Sequence, residues 1–212
     1  MVLEAIITPK TARKQPWLIA ILAFVFVTIG ILAADFLGIE KSIIAITLIA
    51  IPAVPFIWKL FDFEEEETEQ NIVLGSRTIA RHLPVILVLS MFFIGLVAGF
   101  VFWFFALPTE KTNQIFEVQL NELKNIGAIS GKAVFAIGDE KFTETFEMLF
   151  FHNLGVLLII LLFSLLYGAG AILVFVWNAS IIATFIATYA NRVAAGAAMS
   201  ILGGIGTSAL SL

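Results

Sequence analysis

The residue types that carry chemistry are scarce in this chain. It has two histidines, His82 and His152, and no cysteine among 212 residues. Disulfides, thiol nucleophiles, iron–sulfur centres and Cys-ligated metals are therefore excluded, and no His-Glu-x-x-His pair exists to hold zinc. An intramembrane serine protease needs a Ser–His pair, and His152 has no Gly-x-Ser-Gly sequence near it. An aspartyl counterpart needs two acids within apolar segments, where only Asp35 qualifies. Gly203-Gly204-Ile205-Gly206 lacks the lysine of a phosphate-binding loop. No catalytic constellation emerges, and the expectation is a chain without enzyme activity, cofactor or metal.

What remains is polar residues set into apolar surroundings, which are functional candidates by default inside lipid. Asn178 follows Trp177 in a long apolar run, with Ala179, Ala183 and Ala187 on one stripe and Ser180, Thr184 and Thr188 on the next. Four-residue spacing puts each set on one helix face and allows close backbone approach. Gly95-x-x-x-Gly99 and Gly30-x-x-x-Ala34 offer the same device, and Gly196, Ser200, Gly204 and Ser208 repeat it near the C-terminus. Two readings stand. Either these faces pack helices in a tight bundle or homodimer, or Asn178, Ser180, Thr184 and Thr188 line a polar pathway for a small solute or ion. Pro52 and Pro55 would suit a discontinuous transporter helix or a plain kink, and no inverted repeat relates the two halves.

The elements that must position these residues follow from composition. The chain is 60% hydrophobic and 13% charged, with a mean hydropathy of +1.04. An ordinary soluble domain is about 45–50% apolar and about 25% charged, so a soluble enzyme and a disordered chain are ruled out. Twelve basic against sixteen acidic residues also rule out a nucleic-acid-binding module. An all-α polytopic membrane protein is expected, in contact with the lipid bilayer.

A crossing needs about 20 apolar residues, and five stretches supply them: 17–37, 43–61, 83–107, 148–167 and 171–190. Pro84 falls in the first turn of the third, and Tyr167-Gly168-Ala169-Gly170 breaks the long run that holds the last two. The uncharged stretch 193–212, rich in Gly, Ala and Ser, is a sixth span, a re-entrant segment or an incomplete one, and the natural chain is expected to continue past Leu212. The first stretch is too long for a cleaved signal core and is expected to stay as an anchor.

Lys10, Arg13, Lys14, Lys59, Arg77 and Arg81 cluster on the side of the N-terminus. That side is expected to be cytoplasmic, in the plasma membrane, with the 62–82 loop inside and the 109–147 segment outside. The loop begins Asp62-Phe63-Glu64-Glu65-Glu66-Glu67 and reads as a solvated acidic helix; a cation- or basic-partner-binding surface is the sharper alternative. Outside, a helix is expected through Thr112–Ile126, where Phe116, Leu120, Leu123 and Ile126 recur at helical spacing up to Gly127 and Gly131, and a second helix begins near Asp139 or Thr143. These are expected to be interfacial amphipathic helices, packed on the bundle or recruiting an extracytoplasmic partner.

Phe151-His152-Asn153-Leu154, then Tyr167-Gly168-Ala169-Gly170-Ala171, then Trp177-Asn178-Ala179-Ser180 resemble the stage II sporulation protein M family, particularly its archaeal members. Ile7-Thr8-Pro9-Lys10 with Pro16-Trp17, and the Glu-rich loop, are similar to those members too. A later His-Gly-x-x-Glu signature of the family is absent. The resemblance implies a multi-pass helical membrane protein acting as a scaffold for membrane or extracytoplasmic proteins, with Asn153, Gly168, Gly170 and Asn178 at motif positions.

Overall fold

The computed structural model describes residues 7–38, 42–70, 78–125, 146–147, 150–151, 153–155, 157–158 and 170–209. Seven helices are delimited among them: α1 (Pro9–Lys14), α2 (Trp17–Phe36), α3 (Ser42–Gln70), α4 (Thr78–Ala106), α5 (Thr109–Ile115), α6 (Glu117–Asn125) and α7 (Gly170–Ala209).

Local chemistry sets their ends. The Thr8 hydroxyl accepts from the Thr11 N–H at 3.2 Å and caps α1. Pro9 opens the helix where a missing N–H costs nothing. Pro16 forces Gln15 out of the helical region (φ −135°, ψ 68°) and ends it. α2 stops where Gly38 takes φ 63°, a left-handed conformation that a side chain would strain. Past the end of α4, the Thr112 hydroxyl lies 3.2–3.4 Å from the carbonyls of Phe104, in the last turn, and of Leu107 and Pro108 in the connection to α5.

Among the described residues, four helices are long and apolar enough to cross a membrane: Trp17–Phe36, Ser42–Glu66, His82–Ala106 and Ala171–Ala197. The expected span 148–167 lies largely outside the described residues, as do Gly127, Gly131 and the start of the second outer helix.

Three boundaries differ from the sequence reading. α3 continues without a break through Asp62 to Gln70, so the first half of the 62–82 loop is helix. α4 begins at Thr78, which moves Pro84 from the first turn to the second. Finally, 171–190 and the uncertain 193–212 join in one helix that runs to Ala209. Glycine and alanine in that stretch have weak hydropathy, yet neither stops a helix when no proline or cap intervenes.

α2 and α4 run side by side in the same sense, since Ala20 meets Gly95 and Val27 meets Gly99. α3 is antiparallel to α2, with Ile49 against Gly30. α7 packs on α4 and α3, and α6 packs on α7. Phe92, fully buried, holds the four long helices together: its ring lies 6.3 Å from Phe26 of α2, 6.0 Å from Phe56 of α3 and 6.2 Å from Phe175 of α7. Aromatic pairs at such distances add to what their buried area contributes.

The opposite face of α2 leaves Ile21, Val25, Ile29 and Leu32 exposed along one stripe. An exposed aliphatic stripe of that length belongs against lipid rather than water.

Candidate functional site

The hydroxyl face of α7 is closed. Ala179, Ala183, Ala187, Ser180 and Thr184 all have no exposed surface, and Thr188 is half-buried. Each polar side chain donates to its own helix: Ser180 to the Trp177 carbonyl at 2.7 Å, Thr184 to Ser180 at 2.8 Å and Thr188 to Thr184 at 2.7 Å. The amide nitrogen of half-buried Asn178 does the same to Val174 at 2.9 Å. Hydroxyls that back-bond in this way have no donor left for a passing solute.

Among the described residues, one side chain from outside α7 hydrogen-bonds to this face. Gln119 of α6, 1% exposed, donates through Nε2 to the Ser180 hydroxyl at 3.1 Å. Its Oε1 is buried without a hydrogen-bond partner among the described residues.

Gln119 is held there by the way α5 and α6 turn back onto the bundle. The helix expected through Thr112–Ile126 breaks at Phe116 (φ −106°, ψ 15°), and Thr112, Ile115, Phe116, Gln119 and Leu123 form its buried stripe. Phe116 packs edge-on against Phe104 and Phe100, with centroids at 5.2 Å and 6.2 Å, inside the end of α4. Ser42, at the start of α3, clamps the break: its hydroxyl accepts from the Val118 N–H at 3.3 Å and donates to the Gln114 carbonyl at 3.4 Å. α5 and α6 therefore pack onto the helical bundle. Gln119 escaped the sequence reading because Leu120 is the more apolar neighbour, although Gln119 lies on the i, i+3, i+4, i+7 series running from Thr112.

The glycine pairs sit at helix crossings. A Cβ on Gly95 would overlap the Ala20 carbonyl oxygen, with the Ala20 carbonyl carbon at 2.7 Å; one on Gly99 would lie 2.9 Å from Val27 Cβ. Gly30 likewise sits against the Ile49 backbone, whose nitrogen would be 3.1 Å from an added Cβ. These close-approach faces are filled by other helices of the same chain. Beside the α2–α4 crossing, Trp103 Nε1 donates to the Thr28 hydroxyl at 3.1 Å, which itself donates to the Phe24 carbonyl at 3.0 Å.

Of the motif residues implied by the resemblance, Gly170 opens α7 and Asn153 is exposed, while Gly168 lies outside the described residues.

Ion pairs stand at the two ends of the bundle. At the end carrying α1, Glu64 is only 8% exposed. Arg13 of α1 pairs with its Oε2, and His82 Nδ1 of α4 lies 2.9 Å from its Oε1. Arg13 also lies over the Phe63 ring, 5.0 Å from the centroid, a favourable placement for a cation. The run of glutamates is thus not uniformly solvated: Glu65 and Glu66 are exposed, whereas Glu64 faces inward. The buried stripe of Ala53, Ile57 and Leu60 reaches Glu64 after one further turn, and Val85 and Val88 likewise point back to His82.

At the opposite end Asp35 pairs with Lys111. Asp35 is the second-last residue of α2, so it sits at a helix end rather than at depth.

Among the described residues no group of three or more histidines or carboxylates gathers to hold a metal ion. No family model, curated protein or solved structure matches the chain.

Proposed function

We propose that this chain is a non-enzymatic membrane scaffold, a helical bundle that recruits membrane or extracytoplasmic proteins, as its resemblance to the stage II sporulation protein M family implies. The observation that carries this reading is the closed α7 face: Ser180 and Thr184 are fully buried, and their hydroxyls bond to their own helix. A transport route would keep those groups wet and leave their hydrogen bonds to a solute.

The close-packing faces around Gly30, Gly95 and Gly99 are consumed within the chain, which leaves other surfaces for assembly. α7 offers one, because residues 189–197 are exposed on every side. A homodimer through this helix is one form the scaffold takes. The bundle sits in the plasma membrane with its N-terminus in the cytoplasm and five spans, following the basic residues around α1 and counting the apolar run 148–167, since 171–190 and 193–212 share one continuous helix.

Crosslinking in native membranes followed by purification in mild detergent tests the proposal. A stoichiometric partner or a crosslinked dimer is expected. A monomer that captures no protein, together with solute or ion flux in proteoliposomes that Asn178→Leu abolishes, would replace the scaffold by a transporter.

A further inference from the structure

We propose that α1 and the exposed indoles beside it form a docking surface for anionic phospholipid headgroups in the leaflet adjoining this end of the bundle. α1 has two unlike faces. On one, Ala12 is fully buried and Arg13 is engaged by Glu64 and the Phe63 ring, which holds the helix against the end of α3. On the other, Lys10 and Lys14 are both exposed. They stand four residues apart and share a face.

Indoles follow the ammonium groups toward the apolar girdle. Trp17, at the first position of α2, is 55% exposed, and Trp58 of α3 is 66% exposed. The antiparallel register fixed by Gly30 against Ile49 sets Trp58 about one helical turn deeper than Trp17. Ile21 then begins the exposed aliphatic stripe. Cation, indole and aliphatic surface in that order match headgroup, interface and acyl chain of a bilayer leaflet.

The nearby acids do not cancel this surface. Glu64 is taken up by Arg13 and His82; the exposed Asp62, Glu65 and Glu66 all stand on α3, Asp62 on the Trp58 face, whereas α1 itself carries the lysines and no acid. A lysine near an anionic leaflet attracts its lipid by about fivefold, so the pair supplies most of the selectivity and Arg13 little.

The test uses the full chain, reconstituted in vesicles of equal phosphatidylcholine and phosphatidylglycerol and then extracted in detergent, with retained lipids counted by native mass spectrometry. Phosphatidylglycerol is expected to be enriched on the wild type. The Lys10→Gln, Lys14→Gln double variant should lose that enrichment by about fivefold or more. The Lys10→Arg, Lys14→Arg variant should keep it, as should Lys124→Gln, which removes an exposed charge on α6 at the other end. Inorganic phosphate should not displace the bound lipid. Enrichment unchanged in the double glutamine variant, an equal loss in Lys124→Gln, or displacement by phosphate would each overturn the proposal.

Discussion

At the end carrying α1, the Glu64 side chain is 11% exposed and lies between Arg13, 18% exposed, and His82. At the opposite end Asp35 and Lys111 pair with side chains that are 35% and 46% exposed. The same chemistry has different weight in the two places. Water screens the second pair, and surface pairs of that kind contribute about 0–1 kcal/mol. The first is largely withdrawn from water, so removing Glu64 takes a buried partner from both Arg13 and His82 and costs about 3 kcal/mol or more.

The neutral groups divide the opposite way. The far end relies on hydroxyl and amide bonds, with Ser42 joining α3 to the break between α5 and α6 and Gln119 joining α6 to α7. One end is thus fastened by buried charge and the other by neutral hydrogen bonds plus the Phe116 wedge.

The largest break in this comparison is Glu64→Leu. It should destabilise the protein by about 3 kcal/mol, visible as an earlier thermal transition in detergent and as faster proteolysis of residues 1–16. A loss no greater than that of the exposed pair would erase the distinction between the ends. The crossing that lies between them gives an intermediate effect. Gly95→Val pushes a branched side chain into the Ala20 carbonyl and should cost about 1–3 kcal/mol, lowering the melting temperature without altering the helix content seen by circular dichroism. The smallest effect belongs to Lys111→Gln, which should stay within about 1 kcal/mol, with what effect there is fading as salt is raised.

Much of the fold is legible in the sequence because uninterrupted apolar length is a strong signal. The stretches at 17–37, 43–61 and 83–107 correspond to α2, α3 and α4, and Gly95-x-x-x-Gly99 marks a real close approach. The signal fails where composition is uniform. In Glu64–Glu67 every residue has the same hydropathy, so the inward position shows only when the stripe of Ile57 and Leu60 is carried past the end of the apolar run. Gln119 was hidden for a related reason: a polar residue on a buried stripe reads as a surface residue until its partner, Ser180, is brought from sixty-one positions away in sequence. That pairing depends on the chain turning back at Phe116, which no local pattern announces.

Full burial of Ser180 and Thr184 makes the hydroxyl face of α7 a dry packing surface. The absence of native cysteine makes a direct test clean. Ser180→Cys, nearly isosteric, is treated in membranes with a charged, membrane-impermeant thiol reagent applied from both sides, with Lys124→Cys as the exposed reference. The account predicts that the cysteine at position 180 stays unmodified while the one at 124 reacts fully; rapid modification at 180 would show a water-filled route along α7 and contradict it.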